Sequence, residues 1–360
     1  MSYLDEQLIT YLGNKRSLLS MIEKGLNEIE KEQPITSVVD MFSGSGVVSR
    51  LFKERGYKVI SNDLENYARV ISECYLSNPE EFDIEQWSSI KEAIVNYPRV
   101  EDGVISTLYA PKDTHNIQAG ERVFYTHENA VLIDTYRTAI DEVCPEAYKK
   151  FFLAPLLSEA SIHTNTSGVF KGFHKDRNTG IGKFGGTKGN ALDRIMGTIK
   201  LETPVLSTKS NEYEVFQQDA NNLAANVVAD VAYLDPPYNQ HPYGSNYFML
   251  NVIMNNTMPE KISKVSGIVA DWNRSSYNKK ASIYNSLNDV VSKLQVNYVL
   301  LSYNSEGFLT YDEIIKLLEQ YGEVSVFSTQ YNTFRGCRNL NDRDIHVTEY
   351  LFLLKKNKTN

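Results

Sequence analysis

Cysteine is scarce: Cys74, Cys144 and Cys337 lie far apart with no CxxC pairing, so neither a disulfide framework nor a cysteine-based zinc site is indicated, and no metal is expected. No apolar run approaches the roughly 20 residues that span a bilayer. The opening stretch MSYLDEQLITYLGNKRSLL lacks the continuous apolar core of a secretory signal, so a cytoplasmic protein with no membrane association is expected. Net positive charge is missing too. A formal charge of −8 over 360 residues argues against a uniformly basic coat and leaves any anionic partner to a local patch. Repeats and low-complexity tracts are also absent, and the 42% hydrophobic content suits one large domain or a core domain carrying an insertion.

Both ends of the chain alternate helix and strand signals. YLGNKRSLLSMIEKGLNEIEKE places Leu18, Leu19, Ile22, Leu26 and Ile29 at near-helical spacing; Pro34 then punctuates, and ITSVVDMF reads as a buried strand. VVSRLFKERG reads as a helix closed by Gly56, and YKVISNDL as a second buried strand, so residues 35–64 form a βαβ unit. Farther on, VADVAYLDPP, VNYVLLSYN and EYLFLLKK are apolar runs of strand length, with TYDEIIKLLEQYG between the last two as a helix ending at Gly322. The expectation is an α/β fold, a largely parallel sheet with helices on both faces.

The middle, from about residue 80 to 212, is mixed. It holds helix-like pieces such as AVLIDTYRTAIDEV and a turn-rich segment from Gly168 to Lys200. That segment carries seven basic residues (Lys171, Lys175, Arg177, Lys183, Lys188, Arg194, Lys200) against Asp176 and Asp193, with eight glycines, and reads as a mobile cationic surface loop rather than a core element.

Two motifs carry chemistry. In VVDMFSGSGVVSR a strand ends at Asp40 and a tight turn through Gly44 and Gly46 leads into a helix, a geometry that lets a ligand approach bare backbone N–H groups. A third glycine, which pyrophosphate binding would use, is missing. Asp63 ends the next strand, where sheets of this kind place an acid for ribose hydroxyls, so a nucleoside cofactor without pyrophosphate is expected. The second motif is Asp235-Pro236-Pro237-Tyr238 behind the strand VAYL. The carboxylate and the carbonyl oxygens of a stiff proline turn are acceptors, and Tyr238 is a flat platform, a set suited to a planar ring with an exocyclic amino group.

FSGSG at 42–46, DPPY at 235–238 and YLGNKRSLL at 11–19 together resemble the Dam-like DNA adenine-N6 methyltransferases, a group that includes many restriction-modification enzymes. The likeness covers about residues 8–70 and 213–355. It implies a Rossmann-like class I methyltransferase domain over 1–80 and 213–360, and a mostly helical or irregular target-recognition insertion over 81–212. It further implies that Tyr11 and Lys15 hold the methionine part of S-adenosyl-L-methionine, that Asp40, Phe42, Ser43, Gly44 and Gly46 line the cofactor, that Asp63 binds its ribose, and that Asp219 lies near its adenine. Asp235, Pro236, Pro237 and Tyr238 become the catalytic motif. Tyr247 either steadies the flipped base or belongs to the core. Lys171, Lys175, Arg177, Lys183, Lys188 and Arg194 become contacts to double-stranded DNA, joined by Arg335, Arg338 and Arg343 of TFRGCRNLNDR. A monomer is expected, with a cognate restriction endonuclease acting on the same site as a further partner. Two alternatives stay open on these residues: an RNA methyltransferase of the ribosomal guanine-N2 type, whose glycine and DPPY-like motifs are alike, and a catalytically inactive DNA-binding relative.

Overall fold

The computed structural model describes residues 3–186, 189, 191–332 and 346–357. The chain divides into two compact units. The second is built from Lys15–Leu64, Lys209–Pro242 and Arg274–Asn360, and holds a seven-stranded sheet: β1 (Ser37–Asp40), β2 (Lys58–Asp63), β3 (Tyr213–Gln217), β4 (Val231–Leu234), β5 (Tyr298–Asn304), β6 (Gly322–Asn332) and β7 (His346–Lys356). Their order is β3-β2-β1-β4-β5-β7-β6. The first five run parallel, while β7 pairs antiparallel with both β5 and β6.

Helices cover both faces of this sheet. Leu19–Glu30 turns Met21, Ile22, Leu26 and Ile29 inward and packs so closely that a Cβ on Gly25 would meet Leu300 and Leu351 side chains at 2.9 and 3.0 Å. On the opposite face Ile283–Lys293 and Tyr311–Leu318 enclose Val39, Ile60, Ala232, Leu234, Val299, Leu301 and Phe352 in one apolar cluster. Burial on both faces explains why β1, β4 and β5 read as unbroken apolar runs.

The expected helix ends divide. Gly56 follows the helix Val47–Glu54 with φ of 84°, the left-handed conformation that closes a helix. Gly322 does not cap a helix: Tyr311–Leu318 ends earlier, and Gly322 opens β6, where an added Cβ would sit 1.9 Å from the Lys355 carbonyl oxygen. There the missing side chain serves close strand pairing.

The first unit comprises Met1–Asn14, Glu65–Thr208 and Tyr243–Asn273 and is mainly helical, with Asn66–Tyr75, Ile84–Val95, His127–Val143, Glu146–Ile162 and Phe248–Asn255 around an apolar core. The glycine-rich basic segment is more firmly rooted here than its composition suggests. Phe170 and Ile199 join the core cluster, Ile195 is buried, and Asn165 donates to the carbonyls of Val123 and Lys183. Isolated apolar residues between the glycines supply those anchors. Among the described residues, no helix is long and apolar enough to cross a membrane.

Candidate active site

Four ends of secondary structure meet at the carboxyl edge of the sheet in the second unit. After β1, the chain turns through Ser43–Gly46, with Gly44 and Gly46 at φ of 50° and 77°, values that glycine adopts without steric cost. The Gly44 N–H donates to Asp63 Oδ2 at 2.8 Å, the Ser43 N–H to the Asn62 carbonyl at 2.9 Å and the Gly46 N–H to the Ser43 carbonyl at 2.7 Å. The turn and the end of β2 therefore hold each other. Asn62, a residue that no motif singled out, staples the strand ends: its Nδ2 donates to the Met41 and Gln218 carbonyls, both at 3.1 Å, and its Oδ1 accepts the Gln218 N–H at 3.1 Å.

Asp40 is fully buried. Its Oδ2 accepts from Ser49 Oγ at 2.7 Å, and its Oδ1 has no hydrogen-bond partner among the described residues. Burial pushes its pKa up to about 7, opposed by the Ser49 hydrogen bond and reinforced by the carboxylates of Asp235 and Asp63. Phe42 packs edge-on to Tyr277 at 5.1 Å between ring centroids, while Asp219 is half-buried and accepts the Asn221 N–H at 2.9 Å as the N-cap of Ala220–Leu223.

Asp235 follows β4 at the same edge and keeps 18% of its side chain exposed, so it is neither sealed in the interior nor on the open surface. Lys15 Nζ lies 2.9 Å from its Oδ1 and 3.5 Å from Glu349 Oε1 on β7; Lys15 is 4% exposed and Glu349 only 1%. Burial raises the Asp235 pKa to about 6 against the pull of Lys15, with Glu349 adding to the rise. Burial opposes the Lys15 charge, but Asp235 and Glu349 outweigh it, and the ammonium is held well above its ordinary pKa. Pro236 is buried, and Tyr238 is half-buried with its ring edge-on to Tyr303 at 5.6 Å. The Tyr238 carbonyl accepts the Phe308 N–H at 2.9 Å, and the Tyr303 hydroxyl accepts the Leu309 N–H at 3.2 Å, so the loop after β5 braces the aromatic platform.

Within the second unit the structure thus joins Lys15, Asp40, Gly44, Asp63 and Asp235. Tyr11 belongs to the first unit, where it stacks with both Tyr243 and Tyr247 at centroid distances of 4.9 and 4.6 Å. Tyr247 is fully buried; its hydroxyl accepts the Leu12 N–H at 2.7 Å and reaches the Gly168 carbonyl at 3.4 Å, which places it in the core. The basic residues divide by setting. Lys175, Arg177, Lys183 and Lys200 are exposed, and the Lys175 ammonium lies 4.9 Å from the Phe173 ring. Lys171 is half-buried, and Arg194, though also exposed, donates from its guanidinium to the Ile162 carbonyl. Lys188, Arg335, Arg338 and Arg343 lie outside the described residues, as does Cys337. Glu349, Asn62 and Tyr303 escaped the sequence reading because each is an ordinary residue on a strand, given meaning only by pairing.

The carboxyl edge of the sheet thus gathers four acids (Asp40, Asp63, Asp235, Glu349) around the glycine turn and Lys15. It suits a cationic ligand rich in N–H and O–H donors, beside a half-buried aromatic ring. The D12 class N6 adenine-specific DNA methyltransferase family matches residues 11–317 of the chain. The chain is 29% identical to the type II methyltransferase M.NlaIII of Neisseria lactamica, over 97% of its own length and 99% of that protein. It is 30% identical to the type II methyltransferase M.CviAII of Paramecium bursaria Chlorella virus 1, over 96% and 98% of the two chains. It is also 27% identical to the type II methyltransferase M.FokI of Planomicrobium okeanokoites over 96% of its own length, a match that takes in 52% of the longer protein. The chain belongs to the D12 class of N6 adenine-specific DNA methyltransferases.

Proposed function

We propose that the crevice at the edge of the sheet binds S-adenosyl-L-methionine and a flipped adenine of double-stranded DNA, with Asp235 as the acceptor for the amine that is methylated. The observation that carries this reading is Asp235, largely buried yet still open at the sheet edge, beside the net-negative glycine turn. S-adenosylmethionine supplies an electrophilic methyl on a sulfonium cation, together with ammonium and ribose hydroxyl donors. The unpartnered Oδ1 of buried Asp40 and the two left-handed glycines fit such a ligand, and Asp63, held in place by Gly44, is the acid for the ribose. Phe42, Ser43 and Asp219 complete the cofactor lining. Lys15 is assigned to the catalytic acid, on the strength of its 2.9 Å contact with Asp235.

The amine of adenine is a weak nucleophile because its lone pair is delocalised into the ring, and the duplex hides it. The base therefore leaves the stack, at a cost of a few kcal/mol, offset by stacking on Tyr238 and hydrogen bonds to its edge. Asp235 and the Pro236 carbonyl hold the two N6 hydrogens and draw the nitrogen toward tetrahedral geometry, with Pro237 stiffening the turn. With the methyl group supplied by the bound sulfonium, which leaves as a neutral thioether, N6 would carry one proton too many, and Asp235 would accept it before its release to water. Orientation of this kind supplies about 7 to 11 kcal/mol in well-aligned systems.

The exposed basic residues Lys175, Arg177 and Lys183 of the first unit serve as phosphate contacts, and the 81–212 insertion as the target-recognition region. Similarity to type II methyltransferases supports a place in restriction-modification; an endonuclease that cuts the same site is the partner this reading expects. The chain acts on one strand at a time as a monomer. Incubation with methyl-tritiated cofactor and a set of DNA and RNA duplexes, followed by identification of the labelled base, tests the reading. Label in N6-methyladenine of DNA, lost in Asp235→Ala, is expected; full-rate transfer by Asp235→Ala would overturn it.

A further inference from the structure

Asp235 has an acidic neighbour that belongs to none of the motifs. Glu349 stands near the start of β7, and because β7 runs antiparallel to β5 its beginning lies at the edge where β5 ends: Glu349 pairs with Asn304. Its Oε1 accepts from Ser302 Oγ at 3.0 Å and lies 3.5 Å from Lys15 Nζ. One lysine therefore faces two carboxylates, and the three groups together leave a net negative charge in a nearly dry site, an arrangement that costs stability unless something else requires it.

The requirement follows from what an undivided ion pair would do. A lysine bound to Asp235 alone would occupy its lone pairs and reduce its basicity, so the carboxylate would compete poorly for an N–H of the substrate. A second carboxylate draws the ammonium partly away.

We propose that Glu349 is a positioning residue for methyl transfer: by sharing Lys15 it fixes the lysine beneath Asp235 while leaving that carboxylate a strong acceptor for an adenine N6 hydrogen. This rests on the assignment of Asp235 made above. The ionisable groups that bear on Asp235 are Lys15 from the turn before Leu19–Glu30, Glu349 from β7, Tyr233 from β4 and Asp40 from β1. Tyr238 adds to the surroundings of Lys15, and Asp63 to those of Asp40. Lys15 and Glu349 act on Asp235 with opposite sign, so removing the Glu349 charge hands Asp235 wholly to the lysine.

Glu349→Gln keeps the shape and an oxygen for Ser302 but removes the charge. Single-turnover methylation of an adenine-containing duplex from pH 5 to 9 is expected to show the acid limb displaced downward by about one pH unit and the plateau lowered about tenfold. Glu349→Asp, which keeps the charge, should restore the position of the limb. Carboxyl 13C resonances of Asp235 in the protein without cofactor or DNA should titrate with the same displacement. An unmoved limb in Glu349→Gln overturns the proposal, whether the rate is unchanged or falls equally at every pH with a lower melting midpoint. Wild-type protein that transfers no methyl group to adenine overturns the assignment of Asp235 and this role with it; wild-type activity with an unmoved Glu349→Gln profile overturns this role alone.

Discussion

Asp63 accepts the backbone N–H of Gly44 at 2.8 Å, so the acid at the end of β2 and the turn after β1 orient each other. Asp63→Asn weakens that bond and removes the charged acceptor proposed for the cofactor's ribose. Hydrogen bonds to charged groups are worth about 1.5 to 3 kcal/mol. Cofactor affinity measured by titration calorimetry is therefore expected to fall roughly 10- to 100-fold, while DNA affinity without cofactor stays near the wild-type value.

Gly44 itself is a second test of the same corner. At φ of 50° an alanine pays a strain of about 1 to 2 kcal/mol and brings a methyl group into the turn. Gly44→Ala should lower the thermal midpoint slightly and cofactor affinity strongly; equal losses in a variant at the exposed Gly180, φ of 71°, would show that strain alone explains the result.

Asp40 links folding to pH. Its folded pKa of about 7 lies above the ordinary carboxyl value, so the fold binds this proton more tightly than the unfolded chain does. Such a group favours the fold below the unfolded pKa, and the benefit is lost as pH rises toward 7, at about 1.4 kcal/mol per pH unit. Asp40→Asn should therefore melt higher than wild type at pH 8, by a margin that shrinks steadily as the buffer approaches pH 5. A margin independent of pH would contradict a buried, protonatable Asp40.

Tyr11 offers a contrast between packing and ligand contact. Its ring stacks against those of both Tyr243 and Tyr247, and its hydroxyl is 3.2 Å from that of Tyr67. Tyr11→Ala is expected to cost about 2 to 3 kcal/mol in urea unfolding, and Tyr11→Phe under about 1. Tyr11→Ala with unaltered stability and weakened cofactor binding would instead return Tyr11 to the cofactor site.

Salt dependence tests the basic residues. Each phosphate contact contributes roughly −0.9 to the slope of log affinity against log salt on duplex DNA. Exposed Lys175 and Lys183, changed singly to Gln, should each flatten that slope by about one and weaken binding to all sequences alike. Arg194, bonded to the Ile162 carbonyl, should affect melting more than the slope.

The parts of the fold that could be read from the chain are those whose burial is uniform. β1, β4 and β5 lie inside the sheet with both faces covered, so apolar residues dominate them, and the runs SVVD, VAYL and YVLLSYN announce themselves. The edge strands do not. Tyr213–Gln217 has no buried residue, its side chains being alternately half-buried and exposed over most of its length, and so resembles a polar loop; Gly322–Asn332 begins at a glycine that looks like a helix stop. At the site, Asp40, Gly44, Asp63 and Asp235 were legible because local backbone geometry and chemistry coincide in short motifs. Glu349 was not, because its significance comes from an antiparallel register with β5 that no local pattern encodes. Lys15 was legible as important and not as to partner: its spacing marks a motif, but only the assembled sheet brings Asp235 within 2.9 Å.

Lys15 and Glu349 stand far apart in the chain, yet the assembled sheet brings both to the neighbourhood of one carboxylate. Fraying of the β5–β7 pair would therefore be felt at Asp235, which follows β4, although neither the glycine turn nor the DPPY corner had moved.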